Sequence, residues 1–199
     1  MKVKIKKEGK VETFKLINSW ADVNLSTWLK LIDYATGTKT EEAEATLAAL
    51  TDIPKQLVKE LSLSDVAVIM SKIGELQAKQ DTKLKRIIEI NEVEYGFHPD
   101  LDSITLGEYA DIEQFIKNGI DKNLPELMSV LYRPIKLKKN DIYIIDAYDG
   151  DIRLRAEEMK QMSAEQVQSA LVFFYTLGKV LSEIMPSYLM ERLKEMKTQ

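Results

Sequence analysis

The chain contains no cysteine, a single histidine and only 8 glycines. Without cysteine there are no disulfides, no thiolate catalysis and no cysteine-ligated zinc, a pattern typical of a reducing compartment. A single histidine excludes sites built on several histidines, and the isolated glycines form no phosphate-binding loop. We therefore expect no cofactor, no metal site and no enzymatic activity.

Long hydrophobic runs and a strong excess of one charge are also missing. The longest strongly apolar stretch, Ala170 to Phe174, is far shorter than the ~20 residues that span a bilayer. No apolar run follows the first lysines, so we expect no signal peptide. The net charge of -4 does not favour general nucleic-acid binding. These features predict a cytosolic protein with neither nucleic-acid nor membrane partners.

The first strand-like segment is rich in lysine. Lys2, Lys4 and Lys6 alternate with Val3 and Ile5, which would place the lysines on one face of a strand and the apolar side chains on the other. The segment could be a basic arm for nucleic acid or membrane. The alternation favours the solvated face of a hairpin, where lysine prevents edge-to-edge pairing.

Two short segments invite a catalytic or metal-binding interpretation. His98 precedes Pro99, and a histidine in a turn or on the surface is the more ordinary outcome than a catalytic base. The acidic run Asp146 to Asp151 could attract calcium, but it lacks the alternating spacing and closing glutamate of an EF-hand. Its Asp149-Gly150 pair indicates a turn.

Two parts of the chain resemble each other in sequence. Residues 23–32 align with 104–113, and each segment opens on a good helix N-cap, Asn24 or Thr105. Glu108 stands where a capping box places its acidic residue. Residues 47–54 then align with 127–134, where each copy is predicted to carry a short helix that runs into a proline.

The elements around the two copies also follow one order. A hairpin is predicted before each copy and a third helix after it, introduced by Ser64-Asp65 in the first and by Ser163 in the second. The predicted strands are residues 3–7 and 11–16 in the first hairpin, and 87–90 and 93–97 in the second.

The predicted fold is therefore α+β and mainly α, with two sequence-related modules, each a β-hairpin followed by about three helices. The first module covers residues 1–80 and the second covers 81–199. The second module contains an insertion at about 136–159. Whether the modules share one core is left open by the sequence.

Several residues are typical of protein-binding surfaces. Tyr132, Arg133 and Ile135 combine an aromatic, an arginine and an aliphatic side chain, and tyrosine and arginine are enriched in binding hot spots. A tyrosine packed in the core, followed by an arginine that caps helix carbonyls, is an equal alternative. Phe173 widens the apolar stripe of the last helix, and Met185 belongs to a methionine-rich tail of the kind that suits adaptable grooves.

Taken as a set, these motifs resemble a group of tailed-bacteriophage proteins. The resemblance runs through the segment from Trp20 to Trp28, Pro54, the segment from Leu101 to Ile112, the Leu131 to Ile135 motif, and Phe173-Phe174. It covers about residues 15 to 185. Proteins of this group are encoded among virion-assembly genes and are described as tail assembly chaperones or related structural components.

The resemblance implies a non-enzymatic assembly role in the cytoplasm of an infected bacterium. A tail assembly chaperone would bind the tape-measure protein, which is long and prone to aggregation, until the tail tube forms around it. The alternative is a structural component of the virion, in a neck, connector or tail ring. The implied partners are other phage proteins, and the chain could also form a homo-oligomer.

Overall fold

A computed structural model of the chain describes residues 1–7, 10–78 and 83–173. The described residues combine helices with two antiparallel sheets, and helices predominate. The prediction of a mainly helical α+β fold is confirmed. None of the helices in these ranges is long and apolar enough to cross a membrane.

The first half opens on a two-stranded hairpin followed by four helices. Val3 and Ile5 are buried while Lys2 and Lys4 are exposed, which confirms the prediction of a hairpin with a solvated lysine face. The elements are β1 (Lys2–Lys7), β2 (Lys10–Lys15), α1 (Leu25–Ala35), α2 (Lys39–Leu50), α3 (Lys55–Val58) and α4 (Leu63–Ala78).

The predicted helix starts are confirmed at α1, where the Asn24 side chain accepts from the Thr27 amide at 2.9 Å, and at the Thr105 helix described below. Helix α4 begins at Leu63, slightly earlier than predicted. Its first turn is capped by Ser62, whose hydroxyl accepts from the Asp65 amide at 3.1 Å. A hydroxyl at this position satisfies an amide that the helix itself leaves unpaired.

The second half is built on a four-stranded antiparallel sheet in the order β3-β4-β5-β6. The predicted hairpin strands 87–90 and 93–97 occur as predicted. The elements of this half are β3 (Ile87–Ile90), β4 (Val93–Phe97), α5 (Leu106–Lys117), α6 (Leu124–Leu131), β5 (Tyr132–Lys139), β6 (Ile142–Ile145) and α7 (Ile152–Met159), and residues 164–173 are helical.

The prediction that the second short helix runs into Pro134 is wrong. Helix α6 ends at Leu131, and Pro134 lies inside β5, opposite Tyr95. Arg133 pairs with Gly96 and Tyr132 with Phe97, so the backbone enters the sheet directly after the helix. The insertion predicted at 136–159 contains the end of β5, all of β6 and α7.

Two hydrophobic clusters form the interior, and α1 contributes to both. Trp28 packs against each cluster, while Leu25 is fully buried with the residues of β4, β5 and α6. The backbone joins the halves as well: the Leu25 amide donates to Met162 O at 2.7 Å, and the Ala164 amide donates to Val23 O at 2.7 Å. The two clusters are therefore continuous through α1.

Candidate functional site

The predicted protein-binding residues lie mostly inside the molecule. Tyr132 is completely buried and its hydroxyl donates to Lys85 O at 2.8 Å, and Arg133 is 4% exposed. Ile135 and Phe173 are half-buried, and the Phe173 ring packs edge-on against Phe97. Met185 lies outside the described residues. The role of these five residues in binding stays a prediction.

Arg133 belongs to a buried polar cluster that joins α5 to the sheet. Its Nη2 atom lies 2.7 Å from Oε1 of Glu108, and the Glu108 side chain is only 2% exposed. The other carboxylate oxygen of Glu108 accepts from the amide and the hydroxyl of Thr105, at 2.7 and 2.6 Å. One carboxylate therefore closes the capping box of α5 and neutralises an arginine on β5.

His98 completes this buried cluster and is not the turn or surface residue that the sequence favoured. Its side chain is 8% exposed, and Nε2 lies 3.5 Å from Oε1 of Glu108. Its amide donates to Leu131 O at 2.7 Å. Strand β4 ends at Phe97, and the hydrogen bond from the next residue to the end of α6 holds His98 beside Glu108 of α5, a contact that a local turn pattern does not reveal.

The protonation states follow from this burial. Burial lowers the pKa of His98, and this outweighs the opposing effect of the Glu108 carboxylate. Burial alone would raise the pKa of Glu108, but the hydrogen bonds from Thr105, together with the Arg133 guanidinium, lower it. The cluster thus contains a carboxylate, a guanidinium and a neutral imidazole.

Tyr148 covers the outer side of this cluster. The Arg133 guanidinium carbon lies 5.7 Å from the centre of the Tyr148 ring, and the Tyr148 hydroxyl donates to Asp111. Burial, helped by Asp111, raises the pKa of this hydroxyl. A cation stacked on an aromatic ring is stabilised most when water is excluded. The arrangement holds α5 against the sheet and leaves its charged atoms little room to meet a substrate.

The acidic segment 146–151 is not organised as a cation site. Asp149 accepts from the Asp151 amide at 3.0 Å and from Arg155 at 2.8 Å, and these hydrogen bonds lower its pKa to about 2. Gly150 has a φ of 76°, which confirms the turn predicted for Asp149-Gly150. Over the described ranges, no group of three or more potential ligands could hold a metal ion.

A groove of about 590 Å³ lies between α1, α2 and α3. The wall on α1 consists of Thr27, Lys30, Leu31 and Tyr34, which are spaced as one face of a helix. Tyr34 is 51% exposed. This wall therefore presents apolar and aromatic surface to solvent along about two turns of α1.

The opposite wall of the groove is formed by small side chains of α2. Ala45, Ala48 and Ala49 follow one face of the helix, and Glu41 and Glu44 continue that face toward its N-terminus. Alanine allows another helix backbone to approach closely, because interaxial distances of about 8–10 Å depend on the side chains at the contact. The small side chains of this wall would therefore allow a helix to approach α2 closely.

The acidic side chains on the rim of the groove already have partners within the chain. Glu41 is bound to Thr38 in the capping box of α2, and Glu44 lies 3.9 Å from Lys59. Among the described residues, Lys30 and Lys55 form no ion pair. The rim thus offers two lysines to an acidic flank of an occupant.

No family model, curated protein or solved structure matches this chain. The interpretation of its sites therefore depends on geometry. The buried cluster around Glu108 is closed and pairs its carboxylate with the Arg133 guanidinium, whereas the groove between α1 and α2 is open over the described ranges. The groove is the better candidate for a functional site.

Sequence reasoning missed both features for different reasons. Glu108 was recognised as a capping residue, but its contact with Arg133 joins positions far apart in the chain and has no local signal. The groove had one usable signal, the alanines at helical spacing in α2. Alanine-rich spacing also occurs in ordinary solvated helices, so this signal alone does not indicate a binding face.

Proposed function

We propose that this chain is a non-enzymatic bacteriophage assembly protein, a tail assembly chaperone that holds a helical segment of the tape-measure protein in the groove between α1 and α2. The resemblance of its motifs to phage assembly proteins supplies the biological role. The observation that carries the binding mode is the groove itself, with its alanine wall on α2 and its apolar wall on α1.

The groove fits a helix better than a small molecule. Small-molecule sites are concave pockets in which a few polar groups converge on the ligand, whereas the walls of this groove are rows of side chains at helical spacing on α1 and on α2. Helix-in-groove recognition uses this arrangement, since an amphipathic helix lays its apolar face between two helices and keeps its polar face in water. Exposed lysines at positions 30 and 55 favour an occupant with acidic residues along one side.

A chaperone role is consistent with this chemistry. A tape-measure protein is expected to expose long amphipathic helices before the tail tube surrounds it, and such helices aggregate unless their apolar faces are covered. The buried Glu108 cluster supports a function without catalysis, because its charged groups contact one another inside the fold.

The binding mode is tested by filling the groove. Ala49 lines the groove and Ala67 lies on α4, and both alanines are exposed and helical, so tryptophan at each position makes a matched pair. When the chain is co-expressed with the tape-measure protein of the same phage, Ala49→Trp should weaken co-purification at least tenfold, while Ala67→Trp should not. Equal recovery with the two variants would refute binding in the groove.

The role in assembly is tested separately on phage particles. Mass spectrometry of purified mature virions should recover this chain only in traces, whereas lysates of infected cells should contain it in complex with the tape-measure protein. Abundant recovery from mature virions would instead identify a structural component of the neck, connector or tail ring.

A further inference from the structure

The strand β6 forms an outer edge of the four-stranded sheet. In the part of the chain that the structure describes, no other strand pairs with its free side. Its sequence from Ile142 to Ile145 contains neither proline nor any charged residue. Natural proteins usually protect edge strands with such residues, because an unprotected edge pairs with other chains.

One face of the β5–β6 hairpin is packed and the other is bare. Tyr143 lies against Gly96, and its hydroxyl donates to Phe97 O at 2.7 Å. On the opposite face, the exposed fractions are 79% for Ile142, 57% for Ile144 and 65% for Leu137, which is paired with Ile144. Lys139, which is paired with Ile142, is the polar side chain of this face. A hairpin with one solvated face normally carries polar side chains there, and nothing among the described residues covers these three aliphatic side chains.

We propose that β6 pairs antiparallel with β6 of a second copy of this chain, with Ile144 opposite Ile144. The Asp146 amide donates to Pro134 O at 2.9 Å, toward β5. Because hydrogen-bonding direction alternates along an antiparallel strand, the amides of Tyr143 and Ile145 point to the free edge. In the paired copies, Tyr143 and Ile145 exchange backbone hydrogen bonds on each side of the two-fold axis.

The strand is complementary to itself in this register. Asp146 lies opposite Ile142 of the second copy, and Asp141 lies opposite its Ala147, so no two like charges face each other directly. The exposed face becomes continuous, with the same three aliphatic side chains contributed by each copy. A shift by one residue would place the exposed isoleucines beside the packed face of the other copy.

The free edge and the exposed aliphatic face belong to the same strand, so a second copy of β6 can cover both. The pairing supplies backbone partners to the edge and apolar neighbours to the face at once. It joins two four-stranded sheets into one and leaves the groove between α1 and α2 open. The proposal is therefore independent of the helix-binding function.

The absence of cysteine makes this register directly testable. In a non-hydrogen-bonded antiparallel pair the Cα atoms are about 4.5 Å apart, which lies within the range that a disulfide accepts. Full-length Ile144→Cys should form a covalent dimer under mild oxidation. Leu106→Cys, at a position 83% exposed on α5, should crosslink at least tenfold more slowly. Equal rates for the two variants would overturn the proposal.

Sedimentation equilibrium supplies the second measurement. The unmodified chain should sediment as a dimer, Ile144→Lys should dissociate at least tenfold more readily, and Leu106→Lys should remain dimeric. Far-UV circular dichroism checks that the variants keep the helical content of the unmodified chain. A monomeric unmodified chain would refute the pairing.

Discussion

Helices α1 and α5 both begin with a side-chain cap, but the surroundings of the two caps differ. Asn24 caps α1 with one side-chain hydrogen bond, and the groove beside that helix remains open. Thr105 caps α5 in a full capping box, and the acidic member of that box, Glu108, turns inward to Arg133 and His98. Beside α1 the described residues therefore leave a groove open, whereas at α5 the polar groups join elements of the same chain.

The difference shows how one local motif can serve two purposes. At α1 the cap only starts a helix, and one side of that helix lines the open groove. At α5 the same type of cap also supplies a buried counter-charge, which fixes the helix against the sheet. The second half should therefore be sensitive to the loss of a single polar group, and the first half should tolerate such a loss.

The largest effect is expected for Arg133→Met. Removal of the guanidinium leaves the Glu108 carboxylate buried without a counter-charge, and breaking a buried ion pair in this way costs about 3–5 kcal/mol. Urea unfolding followed by circular dichroism should show this loss in the free energy of unfolding. The exposed Lys117 to Glu113 pair provides the control, and Lys117→Met should cost less than about 1 kcal/mol.

The double variant Glu108→Gln, Arg133→Met separates charge from packing. It should recover part of the stability lost in Arg133→Met, since no uncompensated charge remains inside. If the single and double variants were equally unstable, the cluster would contribute through packing alone.

A smaller difference is expected between the two helix caps. Replacement of an N-cap residue by alanine costs about 0.5–2 kcal/mol. Thr105→Ala should lie near the upper end, because the Thr105 hydroxyl also donates to the buried carboxylate of Glu108, and Asn24→Ala should cost about 1 kcal/mol. Thermal and urea unfolding of both variants measure the difference, and Thr105→Ser should restore most of the loss. Equal costs would remove the distinction drawn between α1 and α5.

The smallest effect is expected from the protonation of His98. The pKa of His98 is lowered in the folded chain from its ordinary value of 6.5, so the unfolded chain binds more protons as the pH falls below 6.5. The free energy of unfolding should therefore decrease from neutral pH toward the folded pKa. Glu108 extends this decrease to lower pH, because its folded pKa lies below its ordinary value of 4.5.

The matched measurement uses His98→Asn. Unfolding by urea at several pH values between neutrality and pH 4.5 should give a shallower decrease for this variant than for the unmodified chain. An identical pH dependence in the two proteins would exclude His98 as the titrating group and would locate the sensitivity elsewhere.

Much of the secondary structure could be predicted because its causes are local. The alternation around Val3 and Ile5 indicates a strand, and the Thr105 to Glu108 spacing indicates a helix start, because the atoms involved are within three or four residues of one another. The segment after Leu131 could not be predicted in this way. Its strand conformation depends on β4, which lies more than 30 residues earlier in the chain.

The sequence by itself therefore determined the first two hairpins, the helix caps and the α+β class, since hydrogen bonds between near neighbours and the alternation of apolar residues specify them. Only the tertiary structure decided that Glu108 meets Arg133 and His98, that Tyr132 is buried, and that α1 belongs to both clusters. It also decided which surfaces stay open, the groove beside α1 and the free edge of β6. The physical reason is that burial and charge pairing depend on which distant segments come together, and no short window of sequence contains that information.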